Sequence, residues 1–490
     1  MAESAFEKLV AHARSEHVVV VGGGISGLVA ALDCAKIGMR VTVLEASDRL
    51  GGAVAAAEVA GCEVALGATG WSTRGGAVDE LVDELGLAGE VVEPVTTDVW
   101  VSTPTGVLPF PPETVAGIPA NPWDPTVRRI IGWGGTWRAY LDRLRPPLTI
   151  GQEHDFGALV RRRMGTAVHQ RLVAPLTRGR YGLDPSAVDV SAIAPGLSSA
   201  LTRTGSLAGA AGELSAAAAE SDEPPIRGLA GGMTRLVDTL AARLRDYDVT
   251  VRTAARVSGL AAAGDTWTVT VDADEDAGEL SADAVILATG AAEAARLAPL
   301  SVPEMLTREL VQDVVTLVAS APPAEEPRTT VFAVDSDTAP VVASDETARW
   351  GAAGSGVRIA RVTYGDGDTA GPLAALSDDV ACERAARDAE AMLGFPASEI
   401  VGARRDRWVQ PPSAVLRGRD EAVETVRRRV ERIRGLGLVG AWVAGPGLAR
   451  VIARAREEAE RLRVNLLWGV HADGVTLEPD HPLDKREETP

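Results

Sequence analysis

The residues whose spacing most clearly implies chemistry are Gly22, Gly24 and Gly27, set within HVVVVGGGISGLVAALDCAKIGMRVTVLEASDRLGG, which runs from His17 to Gly52. They form a GxGxxG pattern, in which the first glycine allows a tight turn, the second lets a pyrophosphate approach the backbone, and the third lets a helix pack on its strand. Val18 to Val21 make an apolar run short enough for a buried parallel strand. A helix is expected from Ile25 to about Ile37, stopping at Gly38, with the amides of Ile25 and Ser26 turned toward the phosphates. A second strand, Met39 to Leu44, ends at Glu45, whose carboxylate can accept two hydrogen bonds from ribose hydroxyls. An acid there argues against NADP. The chemistry implied is the holding of an adenine dinucleotide.

The residues just after Glu45 carry a resemblance. Asp48-Arg49-Leu50-Gly51-Gly52 resembles the extension found in large flavoproteins of the amine oxidase and protoporphyrinogen oxidase superfamily, where the arginine and the two glycines line the FAD pyrophosphate. The resemblance implies FAD rather than NAD, bound non-covalently, since no Cys or His lies in the closing motif. From about His17 to Gly469 the chain is similar to the protoporphyrinogen oxidase and coproporphyrinogen III oxidase family. EVALGATGWSTR (Glu63 to Arg74) looks like the segment that passes beside the flavin, which puts Gly67, Ala68 and Thr69 in the cofactor set. DFGALVRRRMG and PLTRGRYGLDPSAVDV resemble the family's helical insert, GLAGGMTRLVDTL its Gly-Gly stretch, and LGLVGAWVAGPGLARVI its closing flavin motif. By the same likeness Val257, Thr289, Gly445, Gly447 and Leu448 join the cofactor set, the last three where a helix N-terminus can aim its positive end at the flavin pyrimidine. Four positions depart from the family's pattern: Ala53 stands where a basic residue is usual, Ala441 for asparagine, Arg450 for an acid and Gly290 for proline.

The likeness also implies a porphyrinogen substrate. A basic residue near Arg74 is expected to meet a propionate, Trp71 to stack near flavin or substrate, and Arg178, with Arg180 beside it, to border the cavity. Arg161, Arg162 and Arg163 read as a solvated helix face with one salt bridge. Trp123, Trp133 and Trp137 read as packing inside the insert.

The 490 residues suit two or three lobes, and the net charge of −19 disfavours nucleic acid or an anionic membrane as a general partner. An anionic ligand then needs a local basic pocket. Lysine occurs only at 8, 36 and 485, so such a pocket is built from arginine. Cys34, Cys62 and Cys382 and the six histidines show no metal-ligand spacing, and no metal is expected. No apolar stretch reaches the length of a membrane span and the first fifteen residues lack a signal-peptide core. The expected location is cytoplasmic. No basic amphipathic helix is apparent, so membrane contact would be peripheral at most.

The fold class is α/β, a discontinuous Rossmann-type FAD-binding domain with an antiparallel-sheet substrate domain and a helical insert. The expected division gives FAD-domain segments at 16–90, 225–298 and 426–470, substrate-domain segments at 91–124 and 299–425, the insert at 125–224 and a disordered tail at 471–490. Within these, Ala282 to Gly290 and Gly437 to Val443 read as strands, the helical part of the insert as Pro125 to Leu201, and the Ala, Gly and Ser-rich stretch to about Glu223 as a loop.

The function implied by the resemblance is FAD-dependent, dioxygen-using oxidation of coproporphyrinogen III to coproporphyrin III in haem synthesis, with hydrogen peroxide released and other haem-synthesis enzymes as possible contacts. The flavin would carry the chemistry, so no catalytic side chain is expected. Protoporphyrinogen IX oxidation, flavin amine oxidation and non-catalytic flavin or porphyrin binding stay open as alternatives.

Overall fold

The computed structural model describes residues 5–145, 153–219, 225–272, 278–334, 340–351, 356–367 and 371–469. At its centre His17–Val21 pairs in parallel with Arg40–Leu44 on one side and Ala284–Leu287 on the other. Thr250–Arg252 and Leu436–Leu438 complete a five-stranded parallel sheet, in chain order 3-2-1-4-5. This is the doubly wound order, whose crevice lies beyond the carboxyl ends of the strands. The valine run suits the position because both faces are covered. Val18 and Val20 pack with the helices Ile25–Lys36, Thr234–Asp246 and Leu448–Trp468. Val19 and Val21 pack on the other face, with the antiparallel strands Arg256–Ala263 and Thr266–Asp272 and the helix Arg419–Glu431.

The expected strand Gly437 to Val443 is shorter and begins earlier, at Leu436–Leu438. Gly440, at φ 122°, then turns the chain into a short helix, Ala441–Ala444. The outer edge of this last strand is closed by side chains from the long C-terminal helix: Leu438 N–H donates to Glu458 Oε1 at 3.0 Å, and Arg461 donates to the Leu436 carbonyl at 2.7 Å. Such contacts block pairing with a further strand.

The second lobe is a seven-stranded sheet that runs from Ile400–Gln410 through Leu310–Ala319, Arg358–Gly367, Val342–Asp345, Thr330–Ala333 and Val99–Thr103 to Gly106–Pro109. It is mixed rather than antiparallel, because Val99–Thr103 and Thr330–Ala333 run parallel. Those strands lie far apart in the chain, and a long connection is what a parallel pairing requires. The helix Asp378–Leu393 lays Ala381, Ala385 and Ala389 against Val315, Leu317, Ala360 and Val362 of this sheet.

The helical insert has its own core around Phe156, Met164, Leu172 and Leu197. The Ala, Gly and Ser-rich stretch expected as a loop forms the helix Leu207–Ala219, since alanine is the best helix former and Leu207, Ala208, Ala210 and Ala211 find a buried face. Residues 220–224, and the tail at 471–490, lie outside the described residues. The expected boundary at 425 falls inside the helix Arg419–Glu431, whose Val423, Val426 and Val430 pack with the nucleotide lobe. Trp133 and Trp137 do not pack the insert. They are 61% and 55% exposed, because the helix Pro125–Tyr140 breaks at Gly132 and buries Val127, Ile130, Ile131, Thr136 and Ala139 instead.

Nor is the arginine triplet wholly solvated. Arg162 meets Glu153 at 2.8 Å, while Arg163 is buried with Asp142 at 2.6 Å. Asp142, wholly buried, also accepts from the Leu207 amide at 2.5 Å, so one carboxylate ties three parts of the insert. Asp142→Ala would remove the buried carboxylate that the Arg163 guanidinium and the Leu207 amide share. The expected loss is about 3–5 kcal/mol in denaturant unfolding of the insert, and a loss below about 1 kcal/mol would refute the tie.

Candidate functional site

The three glycines of the first turn do different work. Gly22 has φ +112°, and a Cβ on it would lie 2.7 Å from the Ala288 carbonyl oxygen. A Cβ on Gly27 would lie 2.0 Å from the Gly22 oxygen. Protein packing alone demands both. Gly24 is another matter, because its φ of −72° and ψ of 170° suit any residue and the nearest atom to a Cβ is the Gly52 Cα, 4.0 Å away. Neither conformation nor packing requires a glycine there, and what remains is space for a ligand.

Around that space the backbone presents donors. Ile25–Lys36 starts without a side-chain cap or an acid in its first turn, so the amides of Ile25, Ser26 and Gly27 lack intrahelical acceptors. A helix start of this kind is an anion site. Gly51 and Gly52 form the opposite wall, with Gly51 N–H donating to the Gly23 carbonyl at 2.9 Å. Glu45 is fixed beside them: Oε2 accepts from Gly23 N–H at 2.6 Å and Oε1 from Ser47 N–H at 2.9 Å. Arg49 is exposed next to this wall, and its carbonyl accepts from Ser47 Oγ at 2.9 Å.

The other expected cofactor residues converge on the same crevice to different degrees. A Cβ on Gly67 would stand 1.8 Å from the Ala53 carbonyl oxygen, and Ala68 N–H donates to that oxygen at 3.2 Å, so Gly67, Ala68 and Thr69 run directly behind Gly51 and Gly52. Trp442 Nε1 donates to the Thr289 carbonyl at 3.0 Å, and a Cβ on Gly440 would lie 3.6 Å from that carbonyl and 4.0 Å from Ser26 Oγ. Gly445 and Gly447 lead into Leu448–Trp468, another helix start without a side-chain cap. Leu448 packs on the nucleotide-lobe core. Val257 has its side chain in the core beneath the sheet, 3% exposed, and its carbonyl accepts from Arg296 at 2.9 Å. The crevice fits a dinucleotide: two uncapped helix starts, an acid at the end of the second strand, and a glycine whose missing Cβ leaves room.

Between the seven-stranded sheet and the insert lies a cavity of about 880 Å³. Trp100, Phe110, Tyr181 and Phe332 supply its aromatic walls, and Arg74 and Arg180 its positive charge. Arg178 is turned away and donates to Asp184 at 2.9 Å, since residues two apart on Ala174–Tyr181 cannot share a face. Of the pair weighed from sequence, Arg180 is the one at the cavity. The residue that decides it, Asp184, lies beyond the helix, where no helical spacing signals it. Trp71 is not presented to the cavity either. Its ring is 2% exposed within the nucleotide-lobe core, held by antiparallel pairing with Arg227.

Among the described residues, no three His, Cys, Asp or Glu side chains gather as a metal site, and no helix is long and apolar enough to cross a membrane. Gly24→Val tests the crevice without disturbing the fold. Stability is expected to change by less than about 1 kcal/mol, while flavin retention on purification is lost. Retained flavin would show that the space beside Gly24 is not used.

The family model described as flavin containing amine oxidoreductase matches residues 25–462. Coproporphyrinogen III oxidase of Mycobacterium tuberculosis is 28% identical over 447 residues, covering 89% of this chain and 95% of that one. The Mycobacterium leprae protein of the same name is 29% identical over 475 residues, covering 92% and 99%. Among solved structures, an Exiguobacterium protein assigned as a protoporphyrinogen oxidase superposes with a TM-score of 0.79 at 22% identity, covering 92% and 99%. A putrescine oxidase gives 0.61 at 17%, covering 92% and 99%. With its uncapped helix starts, its glycine-lined crevice and a match over most of its length, the chain belongs to the flavin containing amine oxidoreductase family, as an FAD-dependent oxidoreductase.

Proposed function

We propose that this protein oxidises coproporphyrinogen III to coproporphyrin III with non-covalently bound FAD, passing electrons to dioxygen and releasing hydrogen peroxide. The observation that carries the reading is the pairing of the Gly24 crevice with an aromatic-walled cavity holding two arginines. The names of the mycobacterial relatives support the substrate class. Bound FAD supplies hydride acceptance from the macrocycle's bridging carbons and electron transfer to dioxygen. The chain's own residues bind and orient. Glu45 takes the ribose, the amides at Ile25 and Ser26 the pyrophosphate, and the start of Leu448–Trp468 places partial positive charge at the flavin. Trp100, Phe110, Tyr181 and Phe332 exclude water around a flat apolar ring, while Arg74 and Arg180 meet its carboxylates. No side chain is assigned as acid or base. The flavin lobe is assigned to the three separated segments around 16–90, 225–298 and 426–470, the last extended back to Arg419 by the helix boundary.

Two arginines can meet two propionates of either porphyrinogen, and the names of the mycobacterial relatives favour coproporphyrinogen III. Arg74→Ala and Arg180→Ala are each expected to raise KM for coproporphyrinogen about tenfold or more with the flavin spectrum unchanged, the loss of one charged hydrogen bond. Arg178→Ala should leave KM within about twofold. A higher kcat/KM for protoporphyrinogen IX, followed by porphyrin fluorescence, would overturn the substrate assignment, and turnover of amines alone would overturn the class.

A cytoplasmic enzyme with peripheral surface contact is the reading we adopt for location. Trp123, Trp137 and Tyr140 pack edge to face, with ring centroids 4.8–6.2 Å apart, and Arg128 lies over Trp133 at 4.6 Å. Arg129, Arg143, Arg145 and Leu144 are exposed nearby, so local charge opposes the sign of the whole chain. Aromatic and basic side chains together suit an anionic lipid surface. Vesicles rich in anionic lipid should sediment the protein, and Trp133→Ala with Trp137→Ala should reduce binding at least about tenfold. Equal recovery with neutral and anionic vesicles would dismiss the contact.

A further inference from the structure

Among the described residues Arg361 has no carboxylate partner. It sits in the strand Arg358–Gly367 at the middle of the seven-stranded sheet, with Thr316 and Ser344 as its cross-strand neighbours. Nη1 donates to the Gly67 carbonyl and Nη2 to the Leu66 carbonyl, both at 2.7 Å. Nε is buried with no partner among the described residues. Glu346 and Asp406 exert only a distant pull, Ser344 Oγ binds Glu346 and Arg404 binds Asp406, and burial lowers the Arg361 pKa from its usual value. Arg361 is half-buried, and a partly desolvated cation given only two carbonyls is under-compensated.

The segment it grips is the one that passes behind the nucleotide crevice. Gly67 abuts the Ala53 carbonyl, and Ala53 follows Gly51 and Gly52. Two further buried donors without partners stand along the same segment. The ring of Trp408 comes within 3.5 Å of a Cβ on Gly67, the ring of Trp350 within 2.8 Å of one on Gly70, and neither indole N–H has an acceptor. The segment is thus gripped by one charged donor, Arg361, and flanked by two indole rings that meet it through their benzenoid edges.

We propose that Arg361, carried by the second lobe, is the cation facing the bound flavin, in place of the basic side chain that Ala53 does not provide. The assignment rests on the flavin reading of Gly67 to Thr69. Arg361 is a positioning and tuning residue: it fixes Leu66 and Gly67 by two hydrogen bonds, and its charge favours the reduced flavin, which gains negative charge with the electrons it accepts.

The test is the midpoint potential of the bound flavin, with FAD affinity measured by fluorescence quenching. Arg361→Gln is expected to weaken the reduced form relative to the oxidised about tenfold, a fall of about 30 mV for a two-electron couple. Arg361→Lys should stay near the parent value, and adding Ala53→Arg to Arg361→Gln should restore it. Should Arg361→Gln fail to fold, Ala53→Arg on the parent carries the test, since it leaves the clamp untouched and is expected to raise the potential. A lower melting temperature with an unchanged potential would reduce Arg361 to a clamp between lobes. A parent protein that takes up no FAD would instead overturn the flavin reading, and this assignment with it.

Discussion

The site depends on how closely three stretches of backbone approach one another. Gly24 and Gly52 face each other with a Cβ on Gly52 only 3.2 Å from the Gly24 Cα, and Gly67 lies against the Ala53 carbonyl closely enough that no side chain fits between. Side chains at these positions would push the walls apart or fill the space between them. The five parallel strands, buried on both faces, hold the starts of Ile25–Lys36 and Leu448–Trp468 at one end of the sheet, and the helices pack directly on each other. Local glycine chemistry and global strand order therefore serve a single crevice.

Charge is distributed with the same economy. In a chain of net charge −19, many arginines are committed: Arg163 to Asp142, Arg358 to Asp345, Arg405 to Asp313, and Arg178 to Asp184. Arg74 and Arg180 stand at the cavity instead, and Arg361 at the junction of the lobes. A buried pair gains from low dielectric only while both partners remain, so Arg163, Arg358 and Arg405 act as ties within lobes, while the Arg178–Asp184 pair is half-exposed. The others are placed where an anionic ligand would provide the second partner.

Much of this was legible in the sequence. The turn at Gly22 to Gly27, Glu45 and the Gly51-Gly52 pair are short-range patterns, and local spacing fixes their relation within one strand-helix-strand unit. What failed to show depends on contacts distant in sequence. Trp71 reads as a stacking residue until its pairing with Arg227 buries it. Val257 likewise faces the core because its strand folds under the sheet. The alanine-rich stretch after Ser206 looks loop-like until a hydrophobic face is found for it, and Arg361 becomes notable only when the second lobe is laid against Leu66 and Gly67. The parallel pairing of Val99–Thr103 with Thr330–Ala333 follows from topology alone.

A flavin in the Gly24 crevice is proposed to accept electrons from a porphyrinogen in the cavity that Arg74 and Arg180 line. The most direct measurement of this transfer is the visible spectrum of the purified protein, mixed with coproporphyrinogen III in the absence of air and then exposed to air. The expected result is a yellow protein that bleaches on mixing as porphyrin fluorescence appears, and regains its colour when dioxygen is admitted. A colourless protein that stays so with added FAD, or a yellow one whose colour the porphyrinogen leaves untouched, would contradict it.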